Sequence, residues 1–218
     1  MAKSDRNGQR KCRDSRKRRK PDLGYYFVVT DTKATEKNYL MGLHRSLPED
    51  TRKRIVIKVS NSKTSDLVNK CKSMLALEPQ YAQPWIVFDR DKVAEFDEII
   101  QEAERECVDV GWSNPCIEIW FDAYFGHIHA YMDSKQCCNR FAETFERITG
   151  REYSKSDEHL YELLNRYGDE EKALELAEKR LKTYEAIGVT KPSKKCPGTC
   201  IHRLVKEIKE KHVKEDTT

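Results

Sequence analysis

Short apolar runs and stretches of helical periodicity alternate along the first 126 residues of the chain. Runs rich in β-branched and aromatic residues, each bounded by polar turns, predict buried strands near 25–30, 54–59, 85–88 and 108–112. Apolar residues at helical spacing follow each of these runs, which predicts an amphipathic helix after each strand. This alternating order favours a parallel sheet with helices on both faces.

Beyond about residue 127 only helical periodicity remains. Apolar stripes predict helices near 137–148, 157–167, 170–186 and 201–211. No long linker separates the two halves, so we expect these helices to pack back onto the sheet. The predicted fold is α/β, with a four-stranded, mostly parallel sheet flanked by helices and a helical C-terminal extension. Its parts are a basic arm at 1–22, an α/β core at 23–126 and a helical part at 127–218.

Charge is distributed unevenly along the chain. The formal net charge is +4, but residues 1–20 hold ten Lys or Arg and only two Asp, a net of +8. Such an arm can neutralise phosphates and release counterions, which suits contact with nucleic acid. A solvated tail that only aids solubility is the alternative. The candidate nucleic-acid contacts in the arm are Arg16, Lys17, Arg18, Arg19 and Lys20.

Several classes of protein are disfavoured by motifs that the sequence lacks. No run of 18 or more apolar residues occurs, so we expect no membrane span. No apolar segment follows the basic N-terminus, as a secretory signal would require. The phosphate-binding G-x-x-x-x-G-K-[ST] and the dinucleotide-binding G-x-G-x-x-G patterns are missing. We expect a cytoplasmic protein whose eight cysteines are reduced thiols.

Acidic residues follow two of the predicted strands. Asp31 comes directly after the first strand, and Asp89 and Asp91 come directly after the third. Ligands of open α/β sheets bind beyond the carboxyl ends of the strands, and adjacent placement of these two strands would bring the three carboxylates together. Such a cluster is unfavourable without a cation, and hard oxygen ligands select Mg²⁺ or Mn²⁺. The alternative is that these residues serve as turn formers and helix caps.

Two further side chains near the first strand extend this candidate site. Glu36 lies in the first turn of the following helix and could bind a second ion or act as a base. Lys33, beside Asp31, is either a phosphate contact or an ordinary surface lysine.

A helix is also expected after the fourth strand. Ser113 or Asn114 can cap it, and Pro115 suits its first position. Glu118 then falls in the first turn, where it either completes the acidic site or only complements the helix dipole.

A C-x₃-C-x-H segment near the C-terminus suggests a zinc site. Cys196, Cys200 and His202 would need a further ligand from a distant segment, such as the Cys137-Cys138 pair or a histidine at 127 or 129. Packed thiols and a hydrogen-bonded histidine at a helix start are the alternative.

Four segments carry a resemblance to a known family: VVTDTKATEKNYL, WIVFDRDK, WSNPCIEIWF and CPGTCIHRLV, in that order. From about Tyr25 to the C-terminus the chain resembles the RloB family of bacterial and archaeal proteins, and S-N-P-C-x-E-x-W is the most specific element. The resemblance implies a Toprim-like fold, as in topoisomerases, primases and OLD-type nucleases, and a metal-dependent nuclease activity. It also implies a setting in defence loci beside an ATPase partner, and His202 falls where the family pattern has a histidine.

The chain departs from the family pattern after the first strand. The family usually has Glu followed by Gly, whereas this chain has Asp31 followed by Thr32. The aspartate carboxylate reaches about 1–1.5 Å less far, and loss of the glycine removes easy access to positive φ.

These features together predict a nuclease that acts on DNA or RNA. Asp31, Asp89 and Asp91 would hold Mg²⁺ or Mn²⁺, and Glu36 and Glu118 would be further ligands or the general base. The alternative is a catalytically degenerate nucleic-acid-binding or regulatory subunit of an ATPase defence complex. A fragment of a strand-passage enzyme or primase is a third hypothesis, which is disfavoured because the chain lacks the additional domains.

Overall fold

The structure is a computed structural model that describes residues 26–32, 34–78, 80–81, 83–91, 93–131 and 133–215, with side chains as far as 209. The predicted basic arm at 1–22, with its candidate contacts Arg16 to Lys20, lies outside the described residues. Lys33 lies outside them as well, so these roles stay predictions.

A five-stranded sheet forms the centre of the described part of the chain. Its strands are β1 (Tyr26–Thr30), β2 (Ile55–Val59), β3 (Gln83–Asp89), β4 (Asp109–Asn114) and β5 (Gly198–Thr199). The order is β2-β1-β3-β4-β5, and every pair is parallel except the antiparallel pair of β4 and β5. The mostly parallel α/β prediction is confirmed. The fifth strand was missed because two residues form no recognisable run.

The sheet is buried on both faces, which explains its continuous apolar strands. In β1, Tyr26 and Val28 pack into one hydrophobic core, and Phe27 and Val29 pack into a second core on the opposite face. Successive side chains of a strand point to opposite faces, so a strand covered on both sides must be apolar throughout.

Helices cover both faces of the sheet. They are α1 (Thr35–Ser46), α2 (Glu49–Arg52), α3 (Leu67–Leu75), α4 (Phe96–Arg105), α5 (Glu118–Tyr124), α6 (Ser134–Thr149), α7 (Leu160–Tyr167), α8 (Glu170–Ala186) and α9 (Ile201–Glu215). The C-terminal helices share a core with the sheet: Phe141, Leu160 and Leu204 belong to the same buried cluster as Val28 and Trp120. The C-terminal helices thus pack onto the sheet.

The capping predicted before α5 is wrong. Ser113 and Asn114 are the last residues of β4, and the helix begins only at Glu118. The Ser113 hydroxyl lies 3.1 Å from that of Thr199 on β5, so it serves strand pairing and not a helix terminus. Pro115 precedes the helix instead of occupying its first position.

Within the described residues, no helix is long and apolar enough to cross a membrane. The free thiols there are those of Cys71, Cys116, Cys137, Cys138, Cys196 and Cys200. Cys107 is disulfide-bonded, which departs from the expectation that all of the cysteines are reduced.

Candidate metal centre

An acidic cleft lies at the edge of the sheet where β1 and β3 end. Its volume is about 1030 Å³, and its lining includes Asp31, Glu36, Asp89 and Asp91. β1 and β3 are neighbours in parallel register, so the residue after β1 and the last residue of β3 come to the same edge. The structure therefore brings these acidic residues to one cleft, as the strand order indicated.

Glu36 is buried at the start of α1, with only 3% of its surface exposed. The Thr32 hydroxyl donates a hydrogen bond to its Oε1 at 2.8 Å. Burial raises the pKa of Glu36 to about 7; Asp31 and Glu118 raise it further, and the hydrogen bonds from its own backbone amide and from Thr32 oppose the rise. Without a cation, Glu36 is therefore close to half protonated at neutral pH.

Asp89 has one oxygen with a hydrogen-bond donor and one without. Its Oδ2 accepts a hydrogen bond from the backbone amide of Ile117 at 3.0 Å. Its Oδ1 is shielded from solvent and accepts no hydrogen bond from the described residues. Burial raises the pKa of Asp89 well above its ordinary value, and the carboxylates of Glu36 and Glu118 raise it further. A shielded carboxylate oxygen without a donor is costly, and a cation beside it would remove that cost.

Asp31 lies against two hydroxyl groups. Thr64, which follows β2 on the other side of β1, donates a hydrogen bond to its Oδ2. The Thr32 hydroxyl lies 3.3 Å from its Oδ1, but its single proton is directed to the nearer Glu36. Within the described residues Cys107 is the only non-glycine residue with positive φ, so Thr32 adopts its conformation without that backbone strain.

Asp91 lies at the exposed rim of the cleft. Its Oδ1 accepts a hydrogen bond from the Ser134 hydroxyl at the start of α6, at 2.6 Å. β3 ends at Asp89, and Asp91 lies in the following turn.

Glu118 lies fully buried behind the cleft. Its Oε1 accepts a hydrogen bond from the Tyr153 hydroxyl at 3.0 Å and pairs with the Lys155 ammonium at 2.9 Å. Burial raises the pKa of Glu118, but the Lys155 ammonium outweighs this effect, so the pKa lies below its ordinary value. Glu118 is therefore ionised and has a positive partner, unlike the other buried carboxylates of the cluster.

Sequence reasoning missed several residues around the cleft. Tyr153 and Lys155 come from the segment between α6 and α7, and Lys155 and Lys135 both line the cleft. Thr64, which donates a hydrogen bond to Asp31, is a further one. Each reaches the site through a contact distant in sequence, so no local motif marks it.

The suggested zinc ligands near the C-terminus do not converge. The Cys200 thiol donates to the carbonyl of Val110, and Cys196 donates to that of Tyr131. The His202 ring lies 2.9 Å from Glu178, beside a groove of about 1310 Å³ between α8 and α9 that is separate from the acidic cleft. These contacts match the alternative of packed thiols and a hydrogen-bonded histidine.

The acidic cleft has the ligand chemistry of a hard divalent cation. No Lys or Arg of the described residues forms an ion pair with Asp31, Glu36 or Asp89, and the donor-less Oδ1 of Asp89 fits a cation. Their ligand atoms do not all approach within 4.8 Å of one another; among the described residues only Cys116, Glu118 and Cys138 form a group that tight. Mg²⁺ retains several waters and needs only one or two direct carboxylates, so the wider spacing is compatible with it.

The fold and site define an α/β protein with a carboxylate-lined cleft at the carboxyl edge of its sheet. The family model described as RloB-like protein matches residues 26–208, so the chain belongs to this family. No curated protein and no solved structure shows a significant match.

Proposed function

We propose that the protein is a metal-dependent, Toprim-type nuclease that hydrolyses phosphodiester bonds of nucleic acid. The observation that carries the proposal is the group of three carboxylates at the sheet edge, Asp31, Glu36 and Asp89, one of which has a buried oxygen without a donor. Two of the three have raised pKa values because they are buried beside like charges.

Electrostatics gives this cluster its affinity for a cation. Each carboxylate that ionises makes ionisation of its neighbours less favourable, so the metal-free site holds protons near neutral pH. A divalent cation would replace those protons, and oxygen ligands of this kind favour Mg²⁺ or Mn²⁺. Asp31, Asp89 and Asp91 would hold the cation.

A bound divalent cation would supply charge stabilisation and a more acidic water. The protein's own residues would transfer the proton and contact the phosphate. Glu36, buried at the start of α1 and lining the cleft, would accept a proton from the attacking water. Lys135 and Lys155 line the cleft and would contact phosphate oxygens. Glu118 would act on the reaction through Lys155, which it orients.

One observation favours a second candidate function, a catalytically degenerate binding or regulatory subunit. Thr64 already donates a hydrogen bond to one oxygen of Asp31, and the Thr32 hydroxyl lies against the other. The residue is also shorter than the glutamate usual in the family. On this hypothesis the cleft binds nucleic acid without cleaving it.

Cleavage assays with Mg²⁺ or Mn²⁺ distinguish the two functions. The purified protein would be incubated with single-stranded DNA, duplex DNA and RNA, while thermal stability is followed over the same metal titration. We expect metal-dependent cleavage of at least one substrate, lost in Asp89→Asn and retained in the exposed control Asp50→Asn. Nucleic-acid binding without cleavage at any metal concentration would favour the degenerate subunit.

Three associated predictions rest on the sequence alone. The basic arm should strengthen nucleic-acid binding, so deletion of residues 1–20 should weaken binding and flatten its salt dependence. The ATPase partner and the role in defence against phage or mobile elements follow from the family resemblance. Co-purification with the product of a neighbouring ATPase gene would test the partner.

A further inference from the structure

A second cluster of metal-ligating side chains lies in the wall of the cleft, apart from the oxygen cluster. It consists of Cys116, Glu118 and Cys138, whose ligand atoms all lie within 4.8 Å of one another. Cys116 belongs to the turn before α5, Glu118 opens that helix, and Cys138 lies in the second turn of α6. Three ligands thus come from two packed elements.

The distance between the two thiols matches zinc coordination. The Sγ atoms of Cys116 and Cys138 are 3.8 Å apart. Two thiolates bound tetrahedrally to one zinc ion, each at about 2.3 Å, lie about 3.8 Å from each other. The pair therefore has the separation that a zinc ion requires, without movement of either helix.

The carboxylate supplies an independent indication of a ligand. The Glu118 side chain is 1% exposed, and its Oε1 is occupied by Tyr153 and Lys155. Its Oε2 is buried and accepts no hydrogen bond from the described residues. A buried carboxylate oxygen is ordinarily satisfied, so a free one beside two thiols is available to a cation.

Charge and access also fit a thiophilic metal. Two thiolates and one carboxylate carry −3, and a divalent ion together with the Lys155 ammonium balances that charge. Cys116 and Cys138 line the cleft, so a fourth position would open towards it and accept water. Thiolates select zinc, whereas Mg²⁺ and Mn²⁺ prefer oxygen ligands.

We propose that Cys116, Glu118 and Cys138 form a zinc-binding site with one open position facing the cleft. Glu118 then belongs to this site and not to the oxygen cluster formed by Asp31, Glu36 and Asp89. A zinc ion there would fix α5 against α6 and set the position of one wall of the cleft.

Zinc affinity of the reduced full-length protein tests the proposal. Competition with a chromophoric chelator would measure zinc binding, and Co²⁺ substitution would report thiolate ligation through its near-ultraviolet charge-transfer absorption. We expect one thiolate-ligated ion for each chain, which millimolar Mg²⁺ does not displace. Cys138→Ser should weaken zinc binding more than about 100-fold, because loss of an outer-shell partner alone costs 10–100-fold.

The matched control is Cys196→Ser, which removes another partly exposed free thiol away from the cluster. It should bind zinc as the wild type does. Equal zinc affinity in wild type and Cys138→Ser would overturn the proposal, and so would a wild-type Co²⁺ complex without the thiolate band. A Cys116–Cys138 disulfide in oxidised protein, with no zinc binding after reduction, would also overturn it. Circular dichroism checks that Cys138→Ser folds. If this variant does not fold, the presence or absence of the thiolate band in the wild-type Co²⁺ spectrum tests the proposal by itself. None of these measurements depends on nuclease activity.

Discussion

Replacement of Glu36 by glutamine would measure how far burial, together with the neighbouring carboxylates, disfavours the ionised form of Glu36. Burial raises the pKa of Glu36 from an ordinary 4.5 to about 7, and Asp31 and Glu118 add to this rise. Below the pKa of this glutamate in the unfolded chain, about 4.5, both the folded and the unfolded protein hold the proton. Glu36 then does not reduce the free energy of unfolding. As pH increases towards 7, the unfolded chain releases a proton that the folded protein keeps, and the free energy of unfolding falls. Above about pH 7 the loss is complete.

The size of the effect follows from the two pKa values. A difference of about 2.5 pH units, at about 1.4 kcal/mol per unit, corresponds to about 3 kcal/mol. Glutamine has nearly the same shape, and its Oε1 can still accept the hydrogen bond from Thr32. In the absence of metal, the free energy of unfolding of Glu36→Gln relative to wild type should therefore increase by about 2–3 kcal/mol from about pH 5 to about pH 8. In a chain of this length that gain is about 4–12 °C in Tm.

Urea denaturation in the presence of a chelator, at about pH 5 and pH 8, would give the two free energies of unfolding. Because the carboxylates of Glu36 and Asp89 repel each other, the pair releases its protons in two steps, and the pH window belongs to the pair. Glu49→Gln serves as the control, since that side chain is 71% exposed. If Glu36→Gln and wild type show the same pH dependence, the pKa of Glu36 is not raised by burial and its neighbours as described. Addition of Mg²⁺ should stabilise wild type more than the variant if the cluster binds the ion.

Two further predictions concern the surroundings of the site. Lys155→Met should cost about 1–3 kcal/mol because it leaves the buried Glu118 carboxylate without its cation. Lys53→Met, whose partner is exposed, should cost less than about 0.5 kcal/mol in the same denaturation assay, and equal losses would contradict the assignment. Gly168→Ala should cost more than about 2 kcal/mol, since its Cβ would lie 2.8 Å from the carbonyl oxygen of Tyr124. Gly150→Ala meets open space and should lose only about 1–2 kcal/mol from its positive φ; a similar midpoint for both variants would refute the steric argument.

The fold was predictable where burial alone determines the sequence. The four parallel strands are apolar because helices cover both of their faces, and that composition is visible in the sequence. The start of α5 was not predictable, because the segment from Ser113 to Pro115 satisfies the local rules for a helix N-terminus. The structure uses Ser113 for a contact with Thr199, which is distant in sequence, and strand pairing takes precedence over capping.

The candidate site was predictable only in the part that topology determines. Asp31 and Asp89 meet because parallel strands end at the same edge, and the order of the elements indicated that arrangement. Cys138 and Lys155 could not be placed, since they come from the C-terminal half and reach the cleft through the packing of α6 on α5. Asp91 lines the same cleft, although it lies in the turn after the last residue of β3.

The departure from the family pattern at Asp31-Thr32 has a different consequence in the structure from the one that the sequence predicted. Loss of a glycine would matter if this turn required positive φ, but Thr32 does not adopt it. The threonine instead adds a hydroxyl that donates to Glu36 and lowers its pKa. Hydrogen bonds to a carboxylate favour its ionised form, which is the form that a metal ion binds. Thr32 thus provides a donor that a glycine could not, so the loss of the glycine is not in itself an argument for a degenerate site, and that argument rests on Asp31 alone.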